Sequence, residues 1–104
     1  MPEQVVTIFR NRLRAENRDA YSRMSARMSE LAASMPGYVD AKTFTADDGE
    51  RVTVVTFADL ESQRAWREHP EHREAQRLGV ADFYSEYSIQ VATVVYDHAF
   101  THGA

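Results

Sequence analysis

Apolar residues in this chain alternate at some stretches and recur every three or four positions at others, which divides it into strands and helices. Residues 4–13 are β-branched and aromatic and read as a strand, with Val5, Thr7, Phe9, Asn11 and Leu13 on one face. Asn17 is placed to cap a helix, with Asp19 in its first turn. Tyr21, Met24, Met28, Leu31 and Met35 then form one apolar stripe on a helix of about 18 residues, which Pro36-Gly37 stops. The stripe reads as core, its methionines filling irregular gaps, with serines and arginines on the outer side. Residues 38–45 and 51–58 are two strands whose connection, through Asp48-Gly49, predicts a hairpin.

Asp59 caps a helix over residues 60–68. Pro70 lacks an N–H and clashes with a preceding turn, so the helix carrying Trp66 must end near His69. His69 then caps a second short helix over 70–78, begun by Pro70 and ended by Gly79. Residues 80–83 are a turn, 86–96 a long strand, and the polar tail from Asp97 is expected to be loose.

Strand–helix–strand, repeated around a central hairpin, predicts an α+β, ferredoxin-like split βαβ fold with a four-stranded antiparallel sheet. The 104 residues form a single domain, with a core over 4–97 and a flexible tail over 98–104. Helices on one face leave the other bare, although strands such as 52–57 and 89–96 are apolar on both sides. A homodimer, sheet against sheet, would cover it, and the last strand is long enough to reach a partner.

Composition narrows the chemistry. The chain has no cysteine, which excludes disulfides, thiolate metal sites and cysteine nucleophiles and suits a reducing cytoplasm. A net charge of −4, with Glu16, Asp19 and Glu30 among the arginines of residues 10–27, argues against nucleic acid. The first residues carry no basic-then-apolar signal, so no leader is expected, and no stretch is long enough for a membrane span. No phosphate loop or dinucleotide fingerprint is present. His69 and His72 lack a third ligand, so no metal site is expected.

Phe9-Arg10-Asn11-Arg12-Leu13, Pro36-Gly37-Tyr38, Asp59-Leu60-Glu61-Ser62, Ala65-Trp66 and His69-Pro70-Glu71-His72, in this order, resemble the antibiotic biosynthesis monooxygenase superfamily over roughly residues 4–97. The resemblance implies a dimeric α+β barrel and a monooxygenase acting on a small aromatic substrate with dioxygen. It implies no cofactor, or haem in the haem-degrading branch. Asn11 and Trp66 match two pocket positions of that branch, while Gln76 stands where its axial histidine lies. His72, one turn earlier on the same face, is the available substitute.

His72 is the candidate general base, and its other reading is a solvated helix residue. Trp66 and Asn11 are candidate donors to a substrate anion; alternatively Trp66 is a core residue and Asn11 satisfies backbone. Gln76 and Tyr84 complete the expected substrate-binding set, with Tyr84 and Tyr87 facing either the pocket or a dimer partner. His69 reads as a helix boundary, and Arg64, Arg67 and Arg73 as partners of nearby glutamates. Three functions remain open: a cofactor-free monooxygenase of quinols or polyketide-like aromatics, a haem-degrading enzyme, and a non-catalytic dimeric domain binding a small ligand.

Overall fold

The computed structural model describes residues 3–103; the ends of the expected domain, residues 1, 2 and 104, lie outside them. The elements follow in the order β1 (Val5–Leu13), α1 (Arg18–Ser34), β2 (Tyr38–Thr45), β3 (Arg51–Phe57), α2 (Leu60–Arg67), α3 (Pro70–Leu78) and β4 (Tyr84–Thr93). The strands form one sheet in the order β2-β3-β1-β4, every neighbouring pair antiparallel. This is the expected ferredoxin-like arrangement.

Register explains which side chains meet. Val5, Thr7, Phe9 and Asn11 of β1 stand opposite Phe57, Val55, Thr53 and Arg51 of β3, and opposite Thr93, Val91, Ile89 and Tyr87 of β4. These rows share the helix-facing side, because directly paired residues point the same way. The other side carries Val6, Ile8, Val52 and Val54, all half-buried, and the exposed Phe44. Arg10 meets Glu50, and Arg12 meets Asp48 and Glu86, at its end.

Turn chemistry behaves as the residues dictate. Gly49 takes φ +92° in the hairpin, and Gly37 takes φ +83° after α1. A side chain at Gly37 would also run into Ser62 on α2. The Oδ1 of Asp59 accepts from the Ser62 N–H at 2.7 Å, which caps α2 and lowers the Asp59 carboxyl below its ordinary pKa. His69 Nδ1 accepts from the Glu71 N–H at 3.1 Å, so His69 is the predicted helix boundary, with Pro70 opening α3.

Four local expectations need correction. Asn17 begins α1 in the left-handed region at φ 64° without capping it; its Nδ2 donates instead to Asp82 O at 3.1 Å. Gly79 ends α3 in an ordinary helical conformation and starts a π-helical turn over Gly79–Phe83. Its missing side chain is a matter of space, since a Cβ there would lie 2.6 Å from the Tyr84 ring. The last strand starts at Tyr84, where a bulge between Arg12 and Leu13 admits it to the ladder, and ends at Thr93. Val94 N–H still donates to Gln4 O at 2.9 Å, and Val95, Tyr96 and Phe100 are exposed. Finally, Arg64, Arg67 and Arg73 make no ion pair among the described residues. The pairs that form instead are Arg27–Glu71, which ties α1 to α3, and Arg77–Glu74.

Val5, Leu31, Ala32, Val55, Phe57 and Trp66 are buried where the helices meet one end of the sheet. No helix among the described residues is long and apolar enough to cross a membrane.

Candidate active site

The core does not continue under the whole of α1. On the cavity side this helix presents Ser25, Ser29 and Ala32, which are small, beside the flexible Met24 and Met28. Ala41, Thr43, Thr53 and Val55 oppose them from β2 and β3. Short side chains on both walls leave a cavity of about 180 Å³ between helices and sheet. That exceeds the ~150 Å³ of engineered apolar cavities that accept benzene, so one or two fused rings fit. Ala41, Thr43 and Gln76 are exposed, and the cavity opens to solvent beside them. Met24 and Met28 therefore line the cavity, and Ser25 and Ser29 belong to its wall rather than to the outer helix surface.

One end of the cavity is built on α2 and α3. Trp66 is 8% exposed and packs on Phe57, with ring centroids 5.4 Å apart. His72, delivered by the first turn of α3 just past the Pro70 break, is the other aromatic neighbour of the same indole, its ring 4.2 Å from that of Trp66 and 35° from parallel. Both residues line the cavity, as do Ala75 and Gln76. His72 Nδ1 lies 3.3 Å from Arg67 O. A carbonyl only accepts, so Nδ1 carries the proton and Nε2 keeps its lone pair in the neutral ring. Burial lowers the His72 pKa from its ordinary value, outweighing the Arg67 carbonyl, which raises it, and nearby His69 lowers it slightly further.

The other end lies near the start of α1: Tyr21 is about 16 Å along the helix from Ala32, at 1.5 Å per residue. Tyr84 packs edge-on against Phe9 at 5.3 Å and lies 5.9 Å from the Tyr21 ring. All three line the cavity, joined by Tyr87. Burial raises the Tyr84 phenol far above its ordinary pKa, and neighbouring Tyr21 adds to the rise, so Tyr84 remains a hydrogen-bond donor. Arg51 Nη1 donates to Tyr21 Oη at 2.5 Å, with its guanidinium 5.2 Å from the same ring.

His72, Trp66, Gln76 and Tyr84 thus share one cavity. Asn11 does not line it. It is 2% exposed at the Arg51–Tyr87 row, and it borders a shallower charged groove at the sheet rim with Arg10, Glu50 and Glu86. Its Oδ1 has no hydrogen-bond partner among the described residues, nor do Gln63 Oε1 and Trp66 Nε1, all buried. The Trp66 N–H is buried away from the open cavity surface, so the indole meets the cavity with its ring rather than as an exposed donor. Gln63 escaped the sequence reading. It is fully buried and donates to Thr7 Oγ1 at 3.1 Å, and the only signal for it was its place one turn before Trp66.

The donor set does not fit haem. Gln76 offers an exposed amide in place of an imidazole, and the one imidazole on the wall is stacked on the Trp66 ring.

The profile of the antibiotic biosynthesis monooxygenase family matches residues 4–78. The protein YqjZ of Bacillus subtilis (strain 168), itself uncharacterised, is 31% identical over 93 residues, covering 89% of this chain and 81% of its own length. Among solved structures, SnoaB, a cofactor-independent oxygenase from Streptomyces nogalater, is similar with a TM-score of 0.75 and 16% identity, covering 91% of this chain and 96% of that one. Rv0793 from Mycobacterium tuberculosis is similar with a TM-score of 0.79 and 15% identity, covering 92% and 99%. At those identities the structural likeness establishes the fold.

Proposed function

The chain belongs to the antibiotic biosynthesis monooxygenase family, and on that premise we propose that it oxygenates electron-rich, acidic aromatics, quinols or polyketide-like rings, with dioxygen and no organic cofactor or metal. The observation carrying this reading is His72: a neutral imidazole with Nε2 unprotonated, on the wall of a ring-sized, largely apolar cavity. SnoaB, of the same fold, is a cofactor-independent oxygenase, which supports the choice of chemistry.

In the proposed mechanism His72 Nε2 takes a proton from the substrate's acidic C–H or O–H. The resulting anion passes one electron to dioxygen, giving a substrate radical and superoxide. Their combination forms a carbon–oxygen bond, and the imidazolium returns its proton to the peroxide. Loss of water then leaves a carbonyl: one oxygen atom enters the product, the other leaves as water, and the substrate supplies both electrons and both protons. The apolar walls keep bulk water from the anion, while the O–H of Tyr84 is a donor for developing negative charge. A bicyclic substrate fits inside; a longer polyketide projects through the mouth at Gln76.

The half-buried Val6, Ile8, Val52 and Val54 and exposed Phe44 on the helix-free face support a homodimer packed through this face. Oxygen consumption against a panel of quinols and anthrones tests the activity. Turnover that falls about 10²–10⁴-fold in His72→Ala is expected. No turnover above buffer on any member of the panel overturns it.

A further inference from the structure

Behind the end of the cavity remote from His72, in contact with the lining residue Tyr21, stands a cation that the proposed oxygenation does not use. Arg51 is half-buried, and its guanidinium has neither a carboxylate partner nor any hydrogen bond except the one to Tyr21 among the described residues. Arg10, Arg12, Arg27 and Arg77 all meet carboxylates, and Arg14 donates to the backbone carbonyls of Val80, Ala81 and Tyr84. A guanidinium has five N–H donors, so most of those on Arg51 remain unused. Tyr21 Oη accepts from Arg51, and the Tyr84 hydroxyl lies beside it on the same wall, so two phenol O–H groups meet in front of the guanidinium. Donors thus gather at this end around a cation, and a ligand group that only accepts hydrogen bonds is their complement.

We propose that Tyr21, held and polarised by Arg51, is the specificity-determining anchor for an ionised ring oxygen, the enolate or phenolate of an acidic aromatic substrate. This rests on the reading of the cavity as the substrate site. Arg51 orients and polarises the Tyr21 hydroxyl from behind, and Tyr21 is the group that meets the ligand. The anchor fixes which edge of a planar ring system faces Tyr21 and so which carbon is presented to His72, since the two groups occupy opposite ends of the cavity.

The test compares two probes of nearly equal shape at neutral pH, 2-hydroxy-1,4-naphthoquinone, which is ionised, and its neutral 2-methoxy counterpart. Quenching of Trp66, the only tryptophan, reports their binding, and the chain has no cysteine to add to either quinone. The hydroxyquinone is expected to bind at least about tenfold tighter, as befits a charge-assisted hydrogen bond. Tyr21→Phe and Arg51→Gln should each remove that preference by weakening the hydroxyquinone far more than the methoxyquinone, and Arg51→Lys should retain part of it. Acidifying the wild type until the hydroxyquinone is protonated should abolish the preference too. Equal wild-type affinities, or variants that weaken both probes alike, overturn the anchor and leave the cavity reading standing. If neither quinone binds, both fall.

Discussion

The His72 imidazole lies on the Trp66 indole, ring centroids 4.2 Å apart, although a proline-enforced helix break separates the two residues. That break is the device that makes the contact. Trp66 is in the last turn of α2 and His72 in the first turns of α3, and a continuous helix would send them around a common axis without bringing their rings face to face. The stacking buries His72, and burial in turn keeps it neutral.

The sign of that shift is testable. A histidine whose folded pKa lies below its unfolded value binds fewer protons when folded. Its contribution to stability is complete above about pH 6.5, the ordinary value, and is lost as pH falls towards the depressed folded value. NMR titration should place His72 below 6.5, and denaturant unfolding should show stability falling in that window less steeply in His72→Gln. Substrate oxidation should hold its rate from neutral pH down into that range before declining, because the neutral ring is the base.

Gly79 and Gly37 should respond differently to alanine. Gly79 has an ordinary helical backbone, so Gly79→Ala is expected to fold, but its methyl group displaces the Tyr84 ring from the cavity wall. Quinone binding should weaken several-fold with little loss of secondary structure by circular dichroism. Gly37→Ala meets both a left-handed φ and Ser62, and should lose about 1–3 kcal/mol of stability by denaturant unfolding.

Haemin should leave no signature of its own on this protein. With no imidazole at position 76 and His72 held against Trp66, a titration followed at the Soret band should match free haemin. A sharpened, shifted band in wild type that disappears in His72→Ala would reverse that conclusion.

The helix-free sheet face makes a prediction at Ile8, which stands directly across from Val54. Sedimentation velocity should give a dimer for the wild type and a monomer for Ile8→Arg, since a buried unpaired charge costs more than such an interface can offset.

Local signals were enough for the fold's outline. Alternation in β1, the Asp48-Gly49 turn, the Asp59 cap and the His69-Pro70 break each act within a few residues, so they are legible before any packing is known. The same locality made the break between Trp66 and His72 legible, while the contact of their rings came only with the packing of α2 against α3. The placement of Asn11 was not local. It shares a strand face with Thr7 and Phe9, which line the cavity, but the helices leave the space over the middle of the sheet and Asn11 lies beyond it. Nor could periodicity distinguish the core residue Leu31 from Met24 and Met28, which lie on the same stripe of α1; what lies opposite each one decides whether it fills space or borders it. The Arg51–Tyr21 bond spans 30 positions and depends on β3 and α1 docking in one register, a long-range outcome of burial that no short stretch of residues encodes.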